Sequence, residues 1–224
     1  MGLACLPTLV PDIKDVYDAY FEAFKGEPII DILFPSGVDE SFRKLHTEST
    51  AEYWKQSKCQ YTVKCIDSET GEVIGMGLWD LYMQERTDEE IKDPGVTWLE
   101  GTHKERAERI LGPLWKKKIE IMGRRPHIYC HVIAVKQEHQ RRGAGRMLTQ
   151  WGLDLAEQLR LPIYLESSPQ AERLYRKLGF FEVDNVVHEA SDLGKEEDVG
   201  IPLMVKMPST LSMSFPEWRS KFST

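Results

Sequence analysis

Between Pro11 and Phe24 the apolar residues Ile13, Val16, Tyr17, Tyr20, Phe21 and Phe24 recur at helical spacing, and Pro11-Asp12 supplies a start signal. This predicts an amphipathic helix. Asp39 to Lys55 repeats the pattern more weakly, with Phe42, Leu45, Tyr53 and Trp54 among polar residues. The period then changes. Two runs rich in β-branched and aromatic residues, Tyr61 to Asp67 and Val73 to Tyr82, flank a Ser-Glu-Thr-Gly turn and predict a β-hairpin. Gly75 and Gly77 alternate along its second strand, where they open room for a ligand or another backbone.

The stretch "QERTDEEIKDPG" after Met83 is charged and irregular, and a helix follows from about Thr102 to Met122 with Leu111, Leu114, Trp115, Ile119 and Met122 on one face. Lys116 to Lys118 read as its solvated side. Next, "HIYCHVIAV", "GRMLTQWGLDLAEQL", "PIYLES" and "PQAERLYRKLG" read strand, helix, strand, helix, the pattern of an α/β layer with a parallel strand pair. "FFEV" and "IPLMVKM" are further strands. The segment from Pro208 to Thr224, with Trp218 and Phe222, reads as a loose end or a docked strap.

Composition narrows the functions. The 224 residues, 41% of them hydrophobic, can bury a proper core. The net charge of −7 argues against a nucleic-acid partner, which rewards a basic face. Cys5, Cys59, Cys65 and Cys130 show no CxxC pairing and no metal-ligand spacing, so no metal is expected. No apolar run approaches the ~20 residues of a membrane span. The first residues lack a signal core, and Leu6 stands where a myristoylation motif needs Ser or Thr. The expectation is a cytoplasmic protein, monomer or homodimer, without a membrane partner.

Candidate chemistry lies where the strand ending at Val135 becomes a helix near Gly143. Gly143 and Gly145 permit unusual φ/ψ there, and the first helical N–H groups lack partners and carry the positive end of the dipole. That is an anion cradle. The dinucleotide fingerprint fails at Leu148, and the P-loop fails at Gly145-Arg146-Met147. Gln140-Arg141-Arg142-Gly143-Ala144-Gly145 instead resembles the Q/R-x-x-G-x-G/A motif of the GNAT acetyltransferase superfamily. The preceding "IAV" and the later "AERLYRKLGFFEV" extend the likeness, as does the hairpin around Thr70-Gly71.

The resemblance implies a GNAT-type α/β fold. Its central sheet is mixed and mostly antiparallel, with a parallel strand pair splayed at the coenzyme A site and helices on its flanks. One domain would cover residues 1–224, with 83–126 an insertion and possible acceptor-site lid and 208–224 a tail. The cosubstrate implied is acetyl-CoA. Backbone N–H groups of Arg141, Arg142, Gly143, Ala144, Gly145 and Arg146, next to Gln140, would hold the pyrophosphate. Side-chain contact of Arg141 and Arg142 with phosphate stays open beside solvent exposure. Ile133, Ala134 and Val135 would meet the pantetheine and thioester. Ser168 stands where many members have Asn; it reads first as a helix N-cap and second as a coenzyme contact.

Transfer to an amine requires a base for the ammonium and benefits from an acid for the departing thiolate. Tyr175 matches the family's acid, although its helical spacing with Ala171, Leu174 and Leu178 also reads as core. Histidine's ordinary titration range suits the base, and His131 occupies a strand position like that in arylalkylamine acetyltransferases, with a satisfied buried histidine the equal alternative; Glu166 is the second candidate and Asp80 the third. The acceptor expected is a small-molecule amine under a cover that includes Trp79, Tyr82, Trp98 and Trp115, although the tryptophans could equally fill the core. Glu85, Asp88, Glu89 and Glu90 read first as a solvated charge run and second as an attractor of cationic amines. A protein lysine or N-terminal acetyltransferase and a non-catalytic coenzyme-binding module are the alternatives.

Overall fold

The computed structural model describes residues 2–221. In chain order its elements are β1 (Leu3–Pro7), α1 (Ile13–Ala23), α2 (Pro28–Leu33), α3 (Glu40–Gln56), β2 (Gln60–Asp67), β3 (Val73–Tyr82), α4 (Gly101–Met122), β4 (His127–Val135), α5 (Ala144–Leu159), β5 (Ile163–Glu166), α6 (Pro169–Lys177), β6 (Phe181–His188), α7 (Ala190–Leu193), β7 (Val199–Lys206) and α8 (Phe215–Lys221). The strands form a seven-stranded sheet in the order β1-β2-β3-β4-β5-β7-β6, mostly antiparallel, with β4 and β5 the parallel pair. Helices flank it, as the α/β reading expected. The chain folds as two compact units: residues up to Leu81 with Cys130–Asp154, and Tyr82–Tyr129 with the residues from Leu155 onward.

In the first unit, β1 runs antiparallel to β2 with Leu3 opposite Asp67 and Pro7 opposite Val63. The apolar pattern did not announce β1, which is five residues long. Its Pro7 is tolerated because β1 is an edge strand, where a missing N–H costs no ladder bond. The predicted hairpin is present, with Gln60 opposite Asp80 and a register shift between Cys65 and Ile66. Helix α1 buries Ile13, Val16, Ala19 and Phe21, and Val16 and Ala19 share a core with Val73, Met76 and Ala134. Asp39 caps α3 by accepting from the Phe42 N–H at 2.8 Å.

In the second unit, β7 lies between β5 and β6, antiparallel to both. Ile121 and Met122 at the end of α4 join Tyr129, Tyr164, Leu203 and Val205 in one core, and Phe215 and Trp218 of α8 complete it. The C-terminal segment is therefore a docked strap as far as Lys221, while Phe222 lies outside the described residues. Glu157 ties the strap down, accepting from the backbone N–H and hydroxyl of Ser209 and from the Thr210 N–H.

Candidate active site

The turn from β4 into α5 has the form the glycines implied, with one correction. Arg141 (φ 60) and Gly143 (φ 97) adopt left-handed conformations. Gly145 is helical, inside the first turn of α5, so the second left-handed position is not Gly145 but Arg141, four residues earlier and not a glycine. Left-handed residues interrupting a turn aim successive N–H groups into a concave nest, and the start of α5 adds its unpaired donors and dipole. Ala144 is buried and anchors the helix. A Cβ built on Gly143 meets nothing within 4 Å, so the space above the turn is open.

The two arginines part company here. Arg141 is exposed. Arg142 is braced within the first unit: its Nη2 donates to Asp67 Oδ2 at 2.6 Å and its Nη1 to His139 Nδ1 at 2.6 Å. Asp67 is buried at the end of β2 and also accepts from the Glu69 N–H. The Arg142 hydrogen bond, then the Glu69 bond, hold its carboxyl below the usual range. An arginine cannot accept, so His139 Nδ1 is unprotonated in this contact. His139 Nε2 stands 3.6 Å from Glu72, whose other oxygen accepts from Lys136 at 2.6 Å. Gln140, exposed, donates to the Val135 carbonyl at 3.3 Å.

Along β4, Ile133 and Val135 are partly exposed and Ala134 is buried. The opening expected at Gly75 is filled by β4 itself, because a Cβ there would lie 2.6 Å from the Ala134 carbonyl oxygen. His131 is 29% exposed, and its Nε2 lies 2.6 Å from Oδ2 of Asp80, which is buried on β3. Two of the three candidate bases therefore form one pair. Trp79, next to Asp80, is fully buried, 5.9 Å from Trp151 between ring centroids, and fills the core rather than a pocket wall.

In the second unit, Tyr175 is buried on α6 and packs edge-on against Phe180 at 5.4 Å. Ser168 occupies the N-cap position of α6, but its exposed side chain makes no cap bond. Glu166 ends β5 on the same face as Tyr164. Burial first, and the Glu166 charge second, push the Tyr164 phenol up, so it stays protonated. Trp98 is exposed, and Tyr82 packs at a tilt against His127 and lies under the Arg86 guanidinium. The acidic run is spent locally: Arg124 pairs with Glu85 and Asp88, Lys92 with Glu89, and Thr87 donates to Glu90.

Residues 14–180 match the model of the Acetyltransferase (GNAT) family. The chain belongs to that family. It is 33% identical over 135 residues to Probable acyltransferase SID5 of Ajellomyces capsulatus, covering 60% of this chain and 93% of the relative. Among solved structures it resembles the histone acetyltransferase HPA2 and related acetyltransferase from Corynebacterium glutamicum, with 22% identity, TM-score 0.61 and coverage of 95% of this chain and 100% of that one. It also resembles arylalkylamine N-acetyltransferase 2 from Aedes aegypti, with 12% identity, TM-score 0.66 and coverage of 92% and 99%.

This GNAT chain is an N-acetyltransferase, and the family implies acetyl-CoA as cosubstrate. The turn fits that ligand: left-handed backbone at Arg141 and Gly143, a helix start behind it and open space in front. Sequence reasoning missed Asp67 and His139, the partners of Arg142. An aspartate closing a hairpin strand looks like any turn residue, and nothing in a linear pattern links it to an arginine 75 positions away.

Proposed function

We propose that this GNAT enzyme moves an acetyl group from acetyl-CoA to a primary amine of a small molecule, by direct attack in a ternary complex. The observation that carries the reading is His131, on the strand that leads into the cradle, paired with Asp80 of β3. In this reading the backbone N–H groups from Arg141 to Arg146 bind the pyrophosphate, with Gln140 beside them. The main chain from Ile133 to Val135 orients the thioester and stabilises charge on its oxygen. His131 removes the proton of the incoming ammonium, and Tyr175 protonates the departing thiolate. Glu166 is the reserve base, and Ser168 contacts the coenzyme by its place in the motif.

Likeness in fold to the mosquito arylalkylamine enzyme supports a small-molecule acceptor. The likeness to the corynebacterial protein favours a second reading, acetylation of protein lysines. The lack of CxxC pairing among Cys5, Cys59, Cys65 and Cys130 fits a reducing, cytoplasmic setting, and among the described residues no helix is long and apolar enough to cross a membrane.

A panel of arylalkylamines, polyamines, amino acids and lysine peptides, assayed with acetyl-CoA for thiol release, tests this. Turnover concentrated in one class of small amines is expected. Turnover with peptides alone establishes the second reading, and coenzyme binding without thiol release from any amine leaves a non-catalytic module. Tyr175→Phe should lower kcat far more than coenzyme affinity.

A further inference from the structure

We infer that Asp80 is a positioning residue that fixes the tautomer and orientation of His131, so that Nδ1 rather than Nε2 is the basic nitrogen; this rests on His131 being the base. Asp80 is buried on β3, and Oδ2 meets His131 Nε2 at 2.6 Å. An ionised carboxylate only accepts, so the neutral ring must carry its proton on Nε2 and donate it to Asp80. Its lone pair then sits on Nδ1.

The placement is built into the sheet. Asp80 stands opposite Gln60 near the end of the β2–β3 ladder, and its neighbour Trp79 is fully buried against Trp151 and Gly152, so the local backbone of β3 is held by the core. His131 comes from β4, in the direction of the coenzyme turn. The acid therefore belongs to the rigid scaffold, while the imidazole is 29% exposed.

During the reaction the ammonium N–H bond breaks and its proton passes to Nδ1. The nitrogen lone pair forms the new bond to the acetyl carbon, the carbon–sulfur bonding pair leaves with the thiolate, and Tyr175 protonates that sulfur. The second proton shed by the nitrogen as the neutral amide forms passes to the Tyr175 oxygen. The imidazolium then holds protons on both nitrogens, and the Asp80 charge stabilises it without accepting a proton, as a carboxylate does behind a catalytic histidine elsewhere.

Long-range ¹H–¹⁵N correlation spectra of the histidines, with His131→Gln used for assignment, test this on the folded wild-type enzyme. Expected is the Nε2–H tautomer for His131 at a pH where the ring is neutral; the Nδ1–H tautomer would overturn the inference. Asp80→Asn, whose amide can donate to Nε2, should shift the signature toward Nδ1–H. It should also lower kcat by about 10²-fold with little change in the KM for acetyl-CoA, and Asp80→Glu should restore part of the loss. If Asp80→Asn leaves tautomer and rate unchanged while His131→Gln is inactive, the positioning role fails and the base assignment stands. If Asp80→Asn loses the acidic limb of the pH–rate profile and His131→Gln keeps it, Asp80 is itself the base and both assignments fall. A profile unaltered in both variants removes the base from this pair.

Discussion

Arg142 is clamped by Asp67 at 2.6 Å across 75 positions of sequence, and its second nitrogen is bonded to His139. This makes it a brace under the turn from β4 into α5. A guanidinium that spans two partners, one of them a carboxylate, through two fixed nitrogens is geometrically demanding, and lysine cannot reproduce it. Asp67→Asn and Arg142→Met should each weaken coenzyme binding several-fold in calorimetry. The double variant should be little worse than either single one, since both break one interaction. Additive losses would mean that Arg142 touches the ligand directly.

The same pair gives a pH dependence of stability. Asp67 has a depressed pKa in the folded chain because Arg142 hydrogen-bonds its charged form, so the folded state binds fewer protons than the unfolded one in acid. Its contribution is complete above the ordinary Asp value of about 3.9 and is lost as pH falls through the lowered value. Melting temperatures between neutral pH and pH ~3 should therefore fall less steeply in Asp67→Asn than in wild type.

Arg141 and Gly143 separate backbone from side chain in the cradle. Gly143→Ala meets no atom, yet it forces a Cβ into a left-handed conformation at a cost of about 1–3 kcal/mol. It should lower either melting temperature or coenzyme affinity. Arg141→Gly removes a similar penalty while adding chain entropy, so stability should barely change and affinity should be kept. A large affinity loss in Arg141→Gly would assign the contact to the guanidinium.

Gly152 offers a test in which two effects of known sign compete. In the middle of α5, alanine is favoured over glycine by about 1 kcal/mol. A Cβ there would lie 2.3–2.8 Å from the ring of fully buried Trp79, however, and overpacking costs about 1–3 kcal/mol. Gly152→Ala should lower the melting temperature. A rise would show that the Trp79 ring has room to move.

The strap makes a stability prediction of its own. Trp218 is buried, stacked at 17° on Phe215, in the core with Tyr164 and Leu203. Trp218→Ala should cost about 3–5 kcal/mol, measured by denaturant unfolding. A loss below about 1 kcal/mol would mean the strap is not part of the cooperative core.

Long elements were legible because their periodicity is redundant: α1, α3, α4 and α5 each begin or end within two residues of the boundaries expected from apolar spacing. β1 and α2 were not, since five or six residues contain too few repeats to reveal a period. The strap was legible only as two alternatives. Trp218 on a polar background shows an appetite for burial without showing what would bury it.

The chain's own order of residues determined the cradle, because a strand, a turn permitting left-handed backbone and a helix start are consecutive and their chemistry is local. It determined the family for the same reason, through contiguous motifs. Tertiary structure alone decided that Arg142 answers to Asp67, that His131 is held by Asp80, and that Trp79 is core. Each depends on strands distant in sequence meeting at a particular register, and register is set by burial of the whole sheet face rather than by any one segment.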